Sequence, residues 1–184
     1  MNILIVEDNP RHQKAAVDQL KNDHNVYVVE DWPSARKAIE DFKPEVVFSD
    51  LKLPSTNETL SDGAIKKYPQ GTLVELGFSI ILYASQYPFV KYMAILTDGD
   101  HHDDPITASI DYVGRELHVY FKDPNSYLRI SKNKPKPTLE INGKRVIVSF
   151  APMLGEYGTE SYVKDWGKVL GFLMNDFLVS NHLT

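Results

Sequence analysis

The chain has 184 residues, 42% of them hydrophobic, carries a formal net charge of −5 and contains no cysteine. That length and apolar content suffice for one sizeable core, and the missing cysteines exclude disulfides, thiolate catalysis and cysteine metal sites. The acidic balance argues against broad binding to a phosphate backbone, so nucleic acid is not an expected partner, and the Lys132 to Lys136 run reads as a solvated loop. No apolar run is long enough to cross a membrane and no signal peptide precedes the first predicted strand, which makes a cytoplasmic location without membrane insertion the expectation.

In chain order, Ile3-Leu4-Ile5-Val6 reads as a strand running into Glu7-Asp8. Pro10 to Lys21 follows as a helix with Ala16, Val17 and Leu20 on one face. Val26 to Val29 is a second strand. Asp31-Trp32-Pro33 then opens a helix in which Ala35, Ala38, Ile39 and Phe42 share a stripe, and Pro44 ends it. Val46-Val47-Phe48 leads into Ser49-Asp50. Two β–α repeats within fifty residues predict a parallel, doubly wound sheet with right-handed crossovers. In such sheets ligands bind beyond the carboxyl ends of the strands, so Glu7, Asp8 and Asp50 converge. Three converging carboxylates repel, and a hard divalent cation, most simply Mg²⁺, relieves that repulsion.

Beyond Asp50, the spacing of Leu73, Leu76, Ile80 and Ala84 predicts a third helix, Tyr92 to Leu96 a fourth strand ending at Thr97, Ile106 to Leu117 a fourth helix and His118 to Phe121 a fifth strand. The acid-rich and histidine-rich run from Asp98 to Pro105 fits no metal-ligand spacing and reads as a helix cap and solvated loop. Asn142-Gly143 between Leu139-Glu140-Ile141 and Lys144 to Val148 predicts a tight β-hairpin, with Tyr127 to Ile130 as a further strand. Val163, Trp166, Leu170, Leu173 and Phe177 then fall near helical spacing as a terminal helix.

The runs Ile3 to Asn9, Ser49 to Pro54, Ala94 to Thr97 and Val119 to Lys122 together resemble the receiver domain of two-component response regulators. The resemblance is strongest over 1–54, weaker over 91–122 and absent over most of 123–184. It implies an α/β, flavodoxin-like, doubly wound parallel five-stranded sheet in the order 2-1-3-4-5, to which the Asn142-Gly143 pattern adds a β-hairpin before the final helix. One elaborated domain is expected: core 1–122, an insertion at about 125–158 and a final helix at about 159–181.

By the same resemblance, Asp50 is the phosphoacceptor of a histidine kinase or phosphotransfer protein. Asp8, Asp50 and the backbone carbonyl of Lys52 ligate Mg²⁺, Glu7 acts through water, and Thr97 and Lys122 hold phosphoryl oxygens. Asp62-Gly63 matches the Asp-Gly pair that opens the family's next helix, delayed by Ser55 to Ser61. Several residues depart from the pattern. Asp98 stands where the family keeps a small residue, Lys122 is followed by Asp123 rather than proline, and Val119 replaces the usual aromatic. Tyr162-Val163-Lys164-Asp165-Trp166 offers a competing strand-to-lysine element, and only one lysine can occupy the position; Lys122 has the more typical distance from Thr97.

The resemblance implies a phosphorylation-dependent switch that acts through an unidentified downstream protein, with a homodimer as a further possibility. No enzymatic activity is expected beyond catalysis of its own phosphorylation and dephosphorylation. Two alternatives share the carboxylates: a degenerate receiver that binds its partner regardless of phosphorylation, and, more remotely, a metal-dependent phosphohydrolase using Asp8, Asp50 and the 98–104 loop.

Overall fold

A computed structural model of the chain describes residues 1–56, 68–98, 116–120, 127–131 and 138–181. Its centre is a parallel sheet of β1 (Asn2–Val6), β2 (Asn25–Val29), β3 (Val46–Asp50), β6 (Tyr92–Thr97) and β10 (Lys144–Phe150). These run in the spatial order β2-β1-β3-β6-β10. Three antiparallel strands, β9 (Thr138–Ile141), β8 (Tyr127–Ser131) and β7 (Glu116–Tyr120), extend the sheet beyond β10. Two short ribbons lie outside it, one pairing β4 (Leu53–Pro54) with β5 (Leu73–Val74), the other pairing β11 (Met153–Leu154) with β12 (Val163–Lys164).

Among the described residues, four helices cover the sheet: α1 (Pro10–Leu20), α2 (Trp32–Phe42), α3 (Gly77–Ser85) and α4 (Trp166–Asn181). The period-two alternation of the central strands feeds two cores. Leu4, Val6, Val47, Met93 and Ile95 pack with Ala35, Ile39, Ile80 and Ala84 of α2 and α3. Ile3, Ile5, Phe48, Ala94 and Leu96 pack with Ala16 and Leu20 of α1 and with Trp166, Leu170 and Leu173 of α4. Strands buried on both faces need continuous apolar runs, which explains why β1 and β3 read as uninterrupted hydrophobic stretches.

Local chemistry sets the helix ends. Asn9 accepts a hydrogen bond from Arg11 N at 3.0 Å ahead of Pro10, and Asp31 accepts one from Ser34 N at 2.8 Å ahead of Pro33. Lys43 takes the left-handed conformation (φ 52°) that closes α2 before Pro44.

The flavodoxin-like order 2-1-3-4-5 is present, but its fifth strand is β10 rather than His118 to Phe121. Residues 116–120 form the far, antiparallel edge instead, so Leu117 belongs to a strand and not to the end of a fourth helix. The Asn142-Gly143 hairpin forms as expected, with both residues at positive φ (52° and 74°). Its second strand is the one that pairs with β6, from Val146↔Met93 to Phe150↔Thr97. Additional strands therefore precede the fifth parallel strand instead of following it. Local pattern could not separate the candidates, because both are short, β-branched and aromatic; pairing with β6 is a tertiary property. Leu73 and Leu76 of the predicted third helix lie in β5 and at the helix cap, and Val163 of the predicted terminal helix lies in β12. Asp62-Gly63, residues 106–115 and the Lys132 to Lys136 run lie outside the described residues.

Gly77 opens α3 directly beneath the end of β3. Its N–H donates to Leu51 O at 3.0 Å, and a Cβ there would stand 2.3 Å from Asp50 O and 3.0 Å from Leu51 Cα. These obstacles are backbone and cannot rotate away. Gly77→Ala is expected to cost about 1–3 kcal/mol in urea unfolding by forcing the Asp50 loop to move; unchanged stability would show that the close approach is relaxed in solution.

Candidate functional site

Three strand ends assemble the site. Glu7 and Asp8 follow β1, Asp50 is the last residue of β3, and Thr97 is the last residue of β6. Register places Asp50 opposite Leu96, one residue before Thr97. One oxygen from each of Glu7, Asp8 and Asp50 lies within 4.8 Å of the others, as the strand-end reading expected. Lys52 follows two residues after Asp50 with its side chain exposed, and Thr97 is half-buried. Residues 121–126, Lys122 among them, and the 99–104 loop lie outside the described residues.

Among the described residues, the cation at this site is Lys164. Its ammonium lies 2.6 Å from Glu7 Oε2, 3.2 Å from Asp50 Oδ2 and 3.3 Å from the carbonyl of Leu96. The Lys164 and Glu7 side chains are both 0% exposed. Two buried ions in such contact lose most of their hydration, and only close geometry with further hydrogen bonds offsets that loss. Both conditions are met. Glu7 Oε1 accepts from Asn9 N at 3.1 Å, and Asp50 Oδ1 accepts from Leu51 N at 2.7 Å. Gln13 Nε2 donates to Glu7 O at 2.7 Å and fixes the turn leaving β1.

Lys164 arrives from outside the central sheet. β10 ends at Phe150, Ala151 N donates to Thr97 O at 2.8 Å, and the chain then runs through β11 before β12 returns Lys164 to the strand ends. Trp166 begins α4 immediately afterwards, buried against Phe48 with ring centroids 5.9 Å apart. The Tyr162 to Trp166 pattern carried the signal for this arrangement. No comparable pattern marks His12, whose buried ring extends the Ala16–Leu20 face of α1 and lies 3.2 Å from Asp98 Oδ2. A histidine on an apolar helix stripe is indistinguishable by pattern from a core residue.

Burial, reinforced by the Glu7 charge, pushes the Asp50 carboxyl up to about 7 despite the neighbouring ammonium. Burial opposes the Lys164 charge as well, but Asp50 and Glu7 outweigh it and hold that pKa above the ordinary value. The His12 hydrogen bond keeps Asp98 below the usual carboxylate range. Among the described residues, three carboxylates are faced by one ammonium, and all three donors are hard oxygens. That donor set suits a Mg²⁺-sized cation, for which Glu7, Asp8 and Asp50 would supply ligands.

No family model matches the chain, and no curated protein matches it. Solved structures do match, among them response regulators and isolated receiver domains of such proteins. One is the isolated REC domain of RcsB from Salmonella enterica serovar Typhimurium with phosphomimetic beryllium fluoride, at 19% identity over 59% of this chain and 67% of that one, TM-score 0.39. Another is the signal receiver domain of a protein described as a Luxo repressor from Vibrio parahaemolyticus, at 22% identity over 52% of this chain and 60% of that one, TM-score 0.32. A third is RcsB of the same Salmonella bound to promoter rprA, at 17% identity over 94% of this chain and 67% of that one, TM-score 0.43. The chain spans between 46% and 67% of the length of these and further RcsB chains.

The promoter complex corrects one expectation. Net charge and the solvated-loop reading of Lys132 to Lys136 argue against nucleic acid as a partner, whereas RcsB is matched in a form bound to DNA. Net charge sums over the whole chain and does not describe a local surface, so the exclusion does not stand. Among the described residues no helix is long and apolar enough to cross a membrane.

The Asp50 shift makes the stability of the metal-free protein depend on pH. A carboxyl whose folded pKa is raised from 3.8 to about 7 favours the fold below pH 3.8 and loses that contribution as pH rises toward 7. Asp50→Asn should therefore be more stable than the parent at pH 8 in EDTA, with the advantage shrinking toward pH 4. Thermal denaturation at both pH values measures this, and equal advantages at pH 4 and pH 8 would show that Asp50 titrates normally.

Proposed function

We propose that the chain is a phosphoacceptor receiver of a two-component phosphorelay, with Asp50 as the phosphorylated residue and a histidine kinase or phosphotransfer protein as the donor. The observation that carries this is the Lys164 ammonium lodged between Glu7 and Asp50 opposite an acidic cluster at three strand ends. Phosphoryl transfer asks a protein mainly to position oxygens and neutralise charge, and the arrangement suits that task.

In the proposed reaction an ionised Asp50 oxygen attacks the phosphorus of a phosphohistidine. The P–N bond breaks, the electron pair leaves with the imidazole, and an acyl phosphate remains on Asp50. Leu51 N holds the other carboxylate oxygen and so orients the nucleophile. Lys164 is near enough to transfer its pairing from the Asp50 carboxylate to a phosphoryl oxygen, and the Thr97 hydroxyl, one residue beyond the strand partner of Asp50, is the second group assigned to those oxygens. Hydrolysis reverses the state when water attacks phosphorus and the bond to Asp50 breaks. Mg²⁺, held by Asp8, Asp50 and the Lys52 carbonyl with Glu7 acting through water, would offset the charge that the phosphoryl group brings. Lys164 is proposed for the lysine role. The phosphorylated state would alter binding to a downstream protein, in the cytoplasm, with no further catalysis proposed.

A second reading draws on Asp98, a carboxylate 48% exposed immediately after Thr97. Negative charge there discourages approach of an anionic phosphodonor, which favours a receiver that binds its partner independently of phosphorylation.

Intact mass after incubation with acetyl phosphate separates the two. The proposal predicts one labile phosphoryl adduct that requires Mg²⁺ and is absent from Asp50→Asn. A folded, Mg²⁺-binding protein that takes no adduct from acetyl phosphate or from phosphohistidine donors would establish the phosphorylation-independent reading instead.

A further inference from the structure

β12 contributes Val163 and Lys164 and, among the described residues, pairs only with β11, so no described ladder of the central sheet sets the position of the lysine. Helix α1 supplies the missing restraint. Lys164 N donates to His12 Nδ1 at 3.3 Å, and Lys164 O accepts from Gln19 Nε2 at 3.0 Å. Gln19 Oε1 accepts in turn from Gly167 N at 3.2 Å, which secures the start of α4. Trp166 Nε1 donates to His12 O at 3.0 Å, tying the residue after next back to the same turn of α1. His12 and Gln19 are seven residues apart and therefore share a face of the helix.

The clamp depends on one tautomer. Nδ1 accepts a hydrogen bond only when its lone pair is free, so the neutral ring must carry its proton on Nε2. Asp98 Oδ2 lies 3.2 Å from Nε2 and provides the acceptor for that proton. The carboxylate that departs from the receiver pattern thus has a structural task.

We infer that His12 and Gln19 are positioning residues that grip the backbone of Lys164 and aim its ammonium at Glu7 and Asp50, with Asp98 locking His12 in the required tautomer. The inference rests on the receiver reading for its functional consequence, but the clamp itself is measurable without phosphorylation. A ligand or charge held 1 Å out of place loses much of its effect on a reacting group, and outer partners that orient such groups matter accordingly.

Two-bond ¹H–¹⁵N correlation NMR on the full chain reads the His12 tautomer, and one-bond spectra read the Lys164 amide and ammonium. The expected result is a proton on Nε2 and a bare Nδ1. His12→Phe should shift both Lys164 signals and slow Mg²⁺-dependent labelling of Asp50 by acetyl phosphate roughly ten- to a hundredfold. His12→Asn, whose Oδ1 can take the place of Nδ1, should restore the amide signal and most of the rate. Should His12→Phe not fold, Gln19→Met keeps the volume, removes both hydrogen-bonding atoms and carries the same expectation. A proton on Nδ1, or Lys164 signals that stay in place in the folded variant, overturns the clamp. Failure of the parent protein to take a phosphoryl group would instead overturn the receiver reading, while the spectra still decide the clamp.

Discussion

The structure turns on one buried ammonium shared by two carboxylates. Lys164 reaches Glu7 at 2.6 Å and Asp50 at 3.2 Å with no exposed side-chain surface of its own. Desolvating those ions costs several kcal/mol each, so the contact survives only where packing and hydrogen bonds are already arranged around it. Removing the lysine would strand Glu7 in the interior, and removing the carboxylates would strand the lysine. Much of the local architecture follows from this mutual dependence: the Asn9 amide on Glu7, the Leu51 amide on Asp50, and the close seat of Gly77 beneath the Asp50 loop.

The lysine arrives from outside the central sheet. The fifth parallel strand ends at Phe150 and is followed by Ala151-Pro152, and the ammonium comes from a two-residue strand further along the chain. Placing the lysine on a separate ribbon leaves its position independent of the pairing of β10 with β6 and with the antiparallel extension. It also transfers control of the lysine to α1 and the start of α4. A change at the acidic site that moves Lys164 would therefore act directly on the packing between those two helices.

Much of the first half of the fold was legible because β1, α1, β2, α2 and β3 each have the period, cap and breaker that their structure requires. The convergence of Glu7, Asp8 and Asp50 followed from those strands alone. The fifth strand was not legible: His118 to Phe121 and Lys144 to Val148 are equally good strands, and only pairing with β6 distinguishes them. The lysine shares this ambiguity. Distance from Thr97 along the sequence favours Lys122, which lies outside the described residues, whereas Tyr162 to Trp166 offers Lys164 on a strand fragment followed at once by a helix. His12 and Gln19 carried no local signal, since their partners lie about 150 residues away in the sequence.

Lysine acylation in the native protein, mapped by mass spectrometry, tests the buried ammonium most directly. Lys164 should remain unmodified while exposed lysines such as Lys14 and Lys91 react, and it should become reactive when the protein is unfolded. Modification of Lys164 at the rate of Lys14 in the folded protein would contradict the account, as would protection of Lys122 in its place.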